Sequence, residues 1–96
     1  PQPETIDKNA LISYGISYGQ SLGLVYDSSL TLSNSGWCPP NDFMNWVTSM
    51  EEAKASVRES IEYTIYILET IDGVSATGGH FNVCFDSNND FVVMYG

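Results

Sequence analysis

The chain has 96 residues, 43% of them hydrophobic, so it forms one domain (residues 1–96) whose core is large enough to fold with little to spare. Twelve acidic residues face three basic ones, and the net charge of -9 argues against nucleic acid and anionic membranes as partners. The same charge suits a basic protein partner, although a need for solubility explains it equally well.

The N-terminal residues 1–4 are predicted to be a flexible leader. A polar, proline-rich start without an initiator methionine is typical of a mature chain after signal-peptide removal, or of a trimmed chain. No apolar run is long enough to cross a membrane. We therefore expect an exported protein that works outside the cytoplasm and does not insert into the membrane.

A first helix is predicted from residue 5 or 7 to about residue 27. Gly15, Gly19 and Gly23 each cost about 1 kcal/mol inside a helix, but their spacing of four places them on one side. Such a side allows another helix to approach closely within the monomer, and a homodimer seam is the alternative. The repeat ISYGISYG also has residues that favour strands.

Residues 28–41 are predicted to form a loop, because serine, asparagine, glycine and the Pro39-Pro40 pair break regular structure. Asn41 or Asp42 then caps a short helix. The side chains expected to face inward from it are Phe43, Trp46 and Val47.

The strongest element is a helix over residues 49–73. Ser49 and Glu52 form a capping box at its start, and Gly73 suits the left-handed residue that closes a helix. Its second half is apolar almost all round, which predicts burial on more than one side. The apolar stripe consists of Met50, Ala53, Val57, Ile61, Ile65 and Leu68.

The last quarter of the chain changes character. Residues 74–79 read as a flexible glycine-rich loop, HFNVCF alternates as a strand does, and FVVMY follows as a second β-prone run. The acidic DSNND between them has turn composition and lacks the longer ligand pattern of a calcium loop. These features predict a C-terminal β-hairpin packed on the helices.

The two cysteines, Cys38 and Cys84, flank the central helix. In a small acidic domain they predict a disulfide, which would stabilise the fold by about 4 kcal/mol. Free thiols and metal ligation are the alternatives. Metal binding has little support, because CxxC is absent and His80 is the only histidine.

Catalytic motifs are absent from the sequence. A nucleophilic pair of Cys84 and His80 fails on distance, because residues four apart on a strand lie about 13 Å from each other. We therefore expect a non-enzyme that needs no cofactor and no metal.

Short motifs give a family resemblance. A Tyr-Gly pair with a second glycine on the first helix, then CPP, then a distant second cysteine, resemble the Rap/Tai immunity proteins. The resemblance implies a mostly helical, disulfide-bonded fold, often a homodimer. It also implies a periplasmic protein that binds and occludes a peptidoglycan-cleaving amidase toxin of type VI secretion. The matching positions are Tyr14, Gly15, Gly19, Cys38, Pro39 and Cys84.

The predicted fold is thus a small, mainly α domain of about three to four helices, stapled by one disulfide, with room for a short C-terminal β-hairpin. An occluding inhibitor needs an anchored protrusion, and the segment of residues 75–80 fits this description best. A linker that only connects two elements is the alternative for this segment. The predicted partner-binding residues are Ser75, Thr77, Gly78, Gly79, His80, Glu69 and Asp72. The loop Ser28–Gly36 is the competing inhibitory site.

The alternative function is a secreted or periplasmic ligand-binding or accessory module with an aromatic pocket. Core packing explains its aromatic residues equally well. They are Tyr14, Tyr18, Phe43, Trp46, Tyr63 and Tyr66.

Overall fold

The computed structural model describes residues 5–70, 73 and 75–96. Two α-helices, four β-strands and one 3-10 turn form there in the order α1, β1, β2, the turn, α2, β3 and β4. Their bounds are α1 Lys8–Ser21, β1 Val25–Tyr26, β2 Gly36–Trp37, the 3-10 turn Phe43–Asn45, α2 Met50–Thr70, β3 His80–Phe85 and β4 Phe91–Tyr95.

The strands form one mixed sheet in the order β1-β3-β4-β2. β3 and β4 make an antiparallel hairpin, β2 pairs antiparallel with β4, and β1 pairs parallel with β3. Both helices pack on one face of the hairpin, α1 against β3 and α2 against β4. The segment of residues 28–35 lies on the opposite face, where Asn82 Nδ2 donates to the Leu30 carbonyl at 3.0 Å. The hairpin is therefore covered on both faces.

α1 starts with an Asp7 cap, whose Oδ1 accepts the Ala10 N–H at 3.1 Å. The helix ends at Ser21, earlier than predicted, because Gly23 has φ +94 and turns the chain into β1. Gly15 and Gly19 are buried inside the monomer. A Cβ on Gly19 would lie 2.5 Å from Phe81 Cζ, so this glycine lets β3, rather than another helix, approach α1.

α2 starts where the predicted cap lies. Ser49 Oγ accepts the Glu52 N–H at 3.1 Å, while Glu52 Oε1 accepts the N–H and hydroxyl of Thr48 at 3.0 and 2.6 Å. Gly73 has φ +69, although residues 71 and 72 lie outside the described part. The predicted burial of the second half is wrong for Tyr63 and Tyr66, which are 53% and 58% exposed. This end of the helix presents aromatic rings to solvent.

The core lies between the helices and the hairpin, and three phenylalanines, Phe43, Phe81 and Phe91, are its largest fully buried side chains. The ring centroid of Phe91 lies 5.8 Å from that of Phe43 and 5.5 Å from that of Phe85. The buried apolar residues of this cluster are Leu11, Leu24, Phe43, Ala53, Val57, Ile61, Ala76, Phe81, Val83, Phe91 and Val93.

The predicted mainly α class is therefore wrong, since the described chain has two helices and a four-stranded mixed sheet. The short helix predicted after Asn41 or Asp42 is only the 3-10 turn, and Trp46 is 55% exposed instead of facing inward. β1 and β2 have two residues each, too few to show an alternating pattern. They form because each outer edge of the hairpin has backbone N–H and C=O groups with which a short strand can pair.

The predicted Cys38–Cys84 disulfide is also wrong, because both cysteines are free. Cys84 pairs with Val92 across the hairpin, whereas the Cys38 N–H bonds to the carbonyl of Val93. Neighbouring residues of β4 point to opposite faces, so the two sulfurs lie on opposite faces of the sheet. β4 also separates their strands by about 9–10 Å, beyond the reach of a disulfide.

We expect reductant to change neither the intact mass nor the melting temperature. Alkylation of the denatured, unreduced protein should add two adducts, one at Cys38 and one at Cys84. In the native protein both should react slowly near neutral pH, because burial raises the pKa of each thiol and keeps it protonated. A mass difference of two hydrogens on reduction would contradict this arrangement.

Candidate functional site

The segment predicted to plug a partner's active site, residues 75–80, is bound to the loop that follows α1. The Gly78 N–H donates to the Gly23 carbonyl, and the Val25 N–H donates to the Gly79 carbonyl, both at 2.8 Å. Two backbone groups that a partner could have used are therefore engaged within the chain. The segment forms a rim at this end of the sheet and not a protrusion.

Three other predicted partner-binding residues, Glu69, Ser75 and Thr77, lie along the same rim. Ala76 is 4% exposed, and its N–H lies 3.3 Å from Glu69 Oε2, so this carboxylate holds the segment in place. Ser75 and Thr77 are exposed. Asp72 lies outside the described residues.

His80 is tied to a residue that the sequence analysis missed. Its Nδ1 lies 2.8 Å from Asp27 Oδ2, and Asp27 Oδ1 accepts the Ser29 N–H at 3.0 Å. Ser29 also donates its hydroxyl to the same oxygen. The sequence signal for the turn is the Asp-Ser-Ser run, in which an aspartate bonds the backbone two residues on. The contact to His80 spans 53 residues and has no local signal.

The Asp27 carboxylate should make stability depend on acid. Hydrogen bonds from Ser29 and from His80 lower its pKa from 3.8 to about 2. Because the unfolded chain binds this proton more readily, the contribution is complete above pH 3.8 and is lost as the pH falls toward 2. Urea unfolding should therefore show Asp27→Asn less stable than wild type at pH 6, with the gap closing by pH 2. A gap that does not depend on pH would contradict this.

The competing predicted loop, Ser28–Gly36, is held by its own hydrogen bonds. The Thr31 N–H donates to Asn34 Oδ1 at 2.7 Å, and Asn34 Nδ2 donates to the Ser29 carbonyl at 3.0 Å. The loop lines the outer face of the hairpin. In this structure the loop covers that face of the hairpin.

The predicted aromatic set does not converge on one pocket. Tyr14 and Tyr18 lie at the α1–α2 seam, where the Tyr14 hydroxyl accepts from Arg58 Nη1 at 2.7 Å and the Tyr18 hydroxyl donates to Glu62. Lys54 Nζ lies 5.4 Å from the Tyr14 ring centroid. Two of the three basic side chains are thus engaged in joining the helices.

The remaining aromatic residues divide between core and surface. Phe43 is fully buried, whereas Trp46 is 55% exposed. Tyr63 and Tyr66 stack on the outer side of α2, with ring centroids 6.2 Å apart and planes at 19°. Tyr63 of this exposed pair also lines a hollow in the surface.

That hollow lies between α2 and the segment that leaves β2. We call it the proline cleft, because Pro39 and Pro40 form one wall and Tyr63 stands in the other. Its volume is about 430 Å³. The lining residues are Cys38, Pro39, Pro40, Asn41, Asp42, Glu59, Ser60, Tyr63, Phe91 and Val93.

Two side-chain hydrogen bonds fix the base of the proline cleft. Cys38 Sγ donates to Thr64 Oγ1 at 3.0 Å, and Asn41 Nδ2 donates to Ser60 Oγ at 2.9 Å. Asn41 also exchanges both backbone hydrogen bonds with Phe91, at 2.9 Å each. These bonds hold the proline wall against α2, so the cleft is formed before any ligand arrives.

The charges at the proline cleft are negative and uncompensated. Asp42 precedes the 3-10 turn without capping it, and Glu59 is exposed beside Tyr63. Within residues 5–70, 73 and 75–96, the one ion pair joins Asp27 to His80, so no cation neutralises either carboxylate. Burial, with the nearby charges of Asp86 and Asp42, raises the pKa of Asp90. Burial is the larger cause of this shift, and the two carboxylates add to it.

The sequence carried a partial signal for this cleft. Glu59, Tyr63 and Tyr66 recur at helical spacing on the side of α2 opposite its apolar stripe, so exposed tyrosines beside a carboxylate could have been expected. The other wall could not. The sequence predicts a disulfide for Cys38, whereas the bond that Cys38 makes to Thr64 spans 26 residues and has no local signal.

The described part of the chain lacks two kinds of feature. No group of three or more histidine, cysteine or carboxylate side chains there is arranged to hold a metal ion. No described helix combines the length and apolar character needed to span a bilayer.

Comparisons with known proteins found no matching family model, no matching curated protein and no matching solved structure. The helical fold and the disulfide that the Rap/Tai resemblance implied are both contradicted. The immunity and secretion assignments that came with the resemblance therefore have no support from the fold.

Proposed function

We propose that this protein is a non-catalytic binding module whose proline cleft receives a basic side chain of a partner protein. One observation carries the proposal: a preformed cleft combines unpaired carboxylates, Asp42 and Glu59, with the exposed ring of Tyr63. A cation is the ligand that satisfies both features, because carboxylates attract its charge and the face of an aromatic ring attracts it too.

Arginine fits the proline cleft better than lysine. Its guanidinium is planar and weakly hydrated, can bond a carboxylate through two N–H groups and can stack on a tyrosine ring. A side chain that enters between Pro40 and Tyr63 meets apolar walls along its methylene stem and a carboxylate at its head. Lysine offers only a compact, strongly hydrated ammonium.

A protein partner suits the rest of the molecule better than a nucleic acid does. The chain carries a net charge of -9, which repels phosphate backbones and draws basic protein surfaces toward it. None of its three basic residues lines the cleft. The net negative charge of the chain and the carboxylates of the proline cleft thus both favour a basic protein partner.

A non-catalytic role agrees with the positions of the reactive groups. Cys38 is 5% exposed, and burial raises the pKa of its thiol, which leaves it a poor nucleophile. His80 bonds to Asp27 on the rim formed by residues 75–80, away from the residues that line the cleft. The narrower hypothesis of an amidase partner stays a prediction from the sequence.

The experiment is a nuclear magnetic resonance titration of labelled protein with a short Gly/Ser peptide that carries one arginine. The control peptide carries citrulline, which has the shape of arginine without its charge. We expect the arginine peptide to shift the amide signals of Asp42, Ser60 and Tyr63, and about 0.5 M salt to weaken the effect. Equal shifts with both peptides, or shifts spread over the whole acidic surface, would overturn the proposal.

A further inference from the structure

A second hollow lies on the other side of the segment that forms the proline wall. It has a volume of about 260 Å³, and we call it the tryptophan hollow. Its lining residues are Leu32, Trp37, Pro40, Asp86, Ser87 and Val92. Pro40 lines both hollows, so they adjoin across one proline ring.

The two hollows lie on opposite faces of the sheet edge. Trp37 pairs with Met94, which shares its face with Val92, whereas Cys38 lies opposite Val93 on the helix face. The chain therefore presents two recesses to a segment that passes over Pro40. Pro39 and Pro40 have no N–H to donate to a further strand at this edge, although Asn41 pairs with Phe91 on the inner side.

The tryptophan hollow is apolar where the proline cleft is charged. Trp37 is 48% exposed and Leu32 is 41% exposed, and both border the buried Val92. Asp86 lies at its rim, and the charge of this carboxylate adds to burial in raising the pKa of both Asp90 and Cys84. A large apolar side chain fits the recess, and the rim favours a ligand whose overall charge is positive.

From these positions we infer that the two hollows together bind one segment of the partner. This segment is extended, and in it an arginine lies close to a leucine. The arginine occupies the proline cleft and the leucine occupies the tryptophan hollow. This inference rests on the proposed function, because the arginine site anchors the segment. In an extended segment side chains two residues apart lie about 6–7 Å from each other, a distance that suits two recesses sharing one ring.

The test uses a Trp46→Phe background, in which Trp37 is the only tryptophan and reports on its hollow. Four peptides carry the leucine two or three residues before or after the arginine, and the arginine-only and citrulline peptides serve as references. We expect at least one of the four to bind about tenfold tighter than the arginine-only peptide, the gain expected when roughly half of a leucine side chain leaves water. Only peptides with this gain should change the Trp37 emission.

Trp37→Ala and Leu32→Ser should remove the gain and leave the binding of the arginine-only peptide unchanged, with folding checked by circular dichroism. If no leucine peptide gains affinity, or if the gain survives in both variants, the two-hollow inference is overturned while the proposed function stands. If the arginine-only peptide binds no better than the citrulline peptide, the proposed function itself fails.

Discussion

Replacing Gly19 with leucine should destabilise the protein by about 3 kcal/mol or more, the upper part of the range for overpacked cores. An ideal Cβ at this position already lies 2.5 and 2.6 Å from two ring atoms of Phe81. That ring cannot swing away, because Phe81 is 1% exposed and packed inside the core. Chemical denaturation, compared with wild type through the midpoint and slope, measures the loss.

Two variants separate this packing effect from helix propensity. Ser17→Leu places the same side chain at an exposed position of α1 and should cost little. Gly19→Ala gains about 1 kcal/mol of propensity but still puts a methyl group against Phe81, so it should destabilise despite that gain. A Gly19→Leu protein as stable as wild type would contradict the packing of α1 on β3.

Phe91→Ala should cost about 3–5 kcal/mol, the usual loss when a buried phenylalanine is truncated. Phe91 is 1% exposed, and its ring touches both Phe43 and Phe85. Its Cζ also lies near the bare Cα of Gly15, 3.6 Å from where a Cβ would be. Small domains have only about 5–15 kcal/mol of stability in total, so the variant should unfold at markedly lower temperature.

The matched control is Tyr66→Ala, which also removes an aromatic ring. Tyr66 is 58% exposed, so its loss should change the free energy of unfolding by only about 0.5 kcal/mol or less. Phe91→Leu should be intermediate, because it retains much of the volume. Equal losses for Phe91→Ala and Tyr66→Ala would place Phe91 outside the core.

Local signals in the sequence predict the elements that depend on local chemistry. Ser49 marks the start of α2 because its hydroxyl caps the first turn. The alternation of Phe81 and Val83 with Asn82 marks β3, and the turn residues after it mark the hairpin. In each case the interaction that sets the element lies within a few residues of it.

The remaining architecture depends on contacts distant in sequence. β1 pairs with β3 through Val25 and His80, 55 positions apart in the numbering, and neither residue signals the other. The cysteines show that distant contacts can also be predicted wrongly from the sequence. Their separation along the chain permits a bridge, but the register that pairs Cys84 with Val92 puts the sulfurs on opposite faces.

The motif residues behind the family resemblance have packing roles in this fold. Gly15 and Gly19 make room for Val57 and Phe81 against α1. Cys38 donates to Thr64 at the base of the proline cleft. Such packing roles also occur in folds other than the helical one that the resemblance implied, so these residues did not predict the fold.

The candidate site also combines a part that local sequence signals predict with a part that depends on distant contacts. The exposed face of α2, with Glu59 and Tyr63, can be deduced from helical spacing alone. The opposing wall comes from Pro39 and Pro40, whose sequence indicates only a break in regular structure. The cleft exists because Asn41 bonds to Ser60 across the gap, a contact that the sequence does not reveal.

The most direct test compares two double variants that each remove two negative charges. Asp42→Asn with Glu59→Gln changes the proline cleft. Glu51→Gln with Glu69→Gln changes exposed sites outside its lining, and the amide oxygen of the new glutamine can still accept the Ala76 N–H. Titration with the arginine peptide, with folding checked by circular dichroism, gives the affinity of each protein.

We expect the cleft variant to lose about tenfold or more in affinity, as the loss of charge-assisted hydrogen bonds implies. The control variant should stay within about twofold of wild type, because exposed charges farther away are largely screened by salt. Equal losses in the two variants would show that the peptide responds to the charge of the whole chain and would contradict a binding site in the proline cleft.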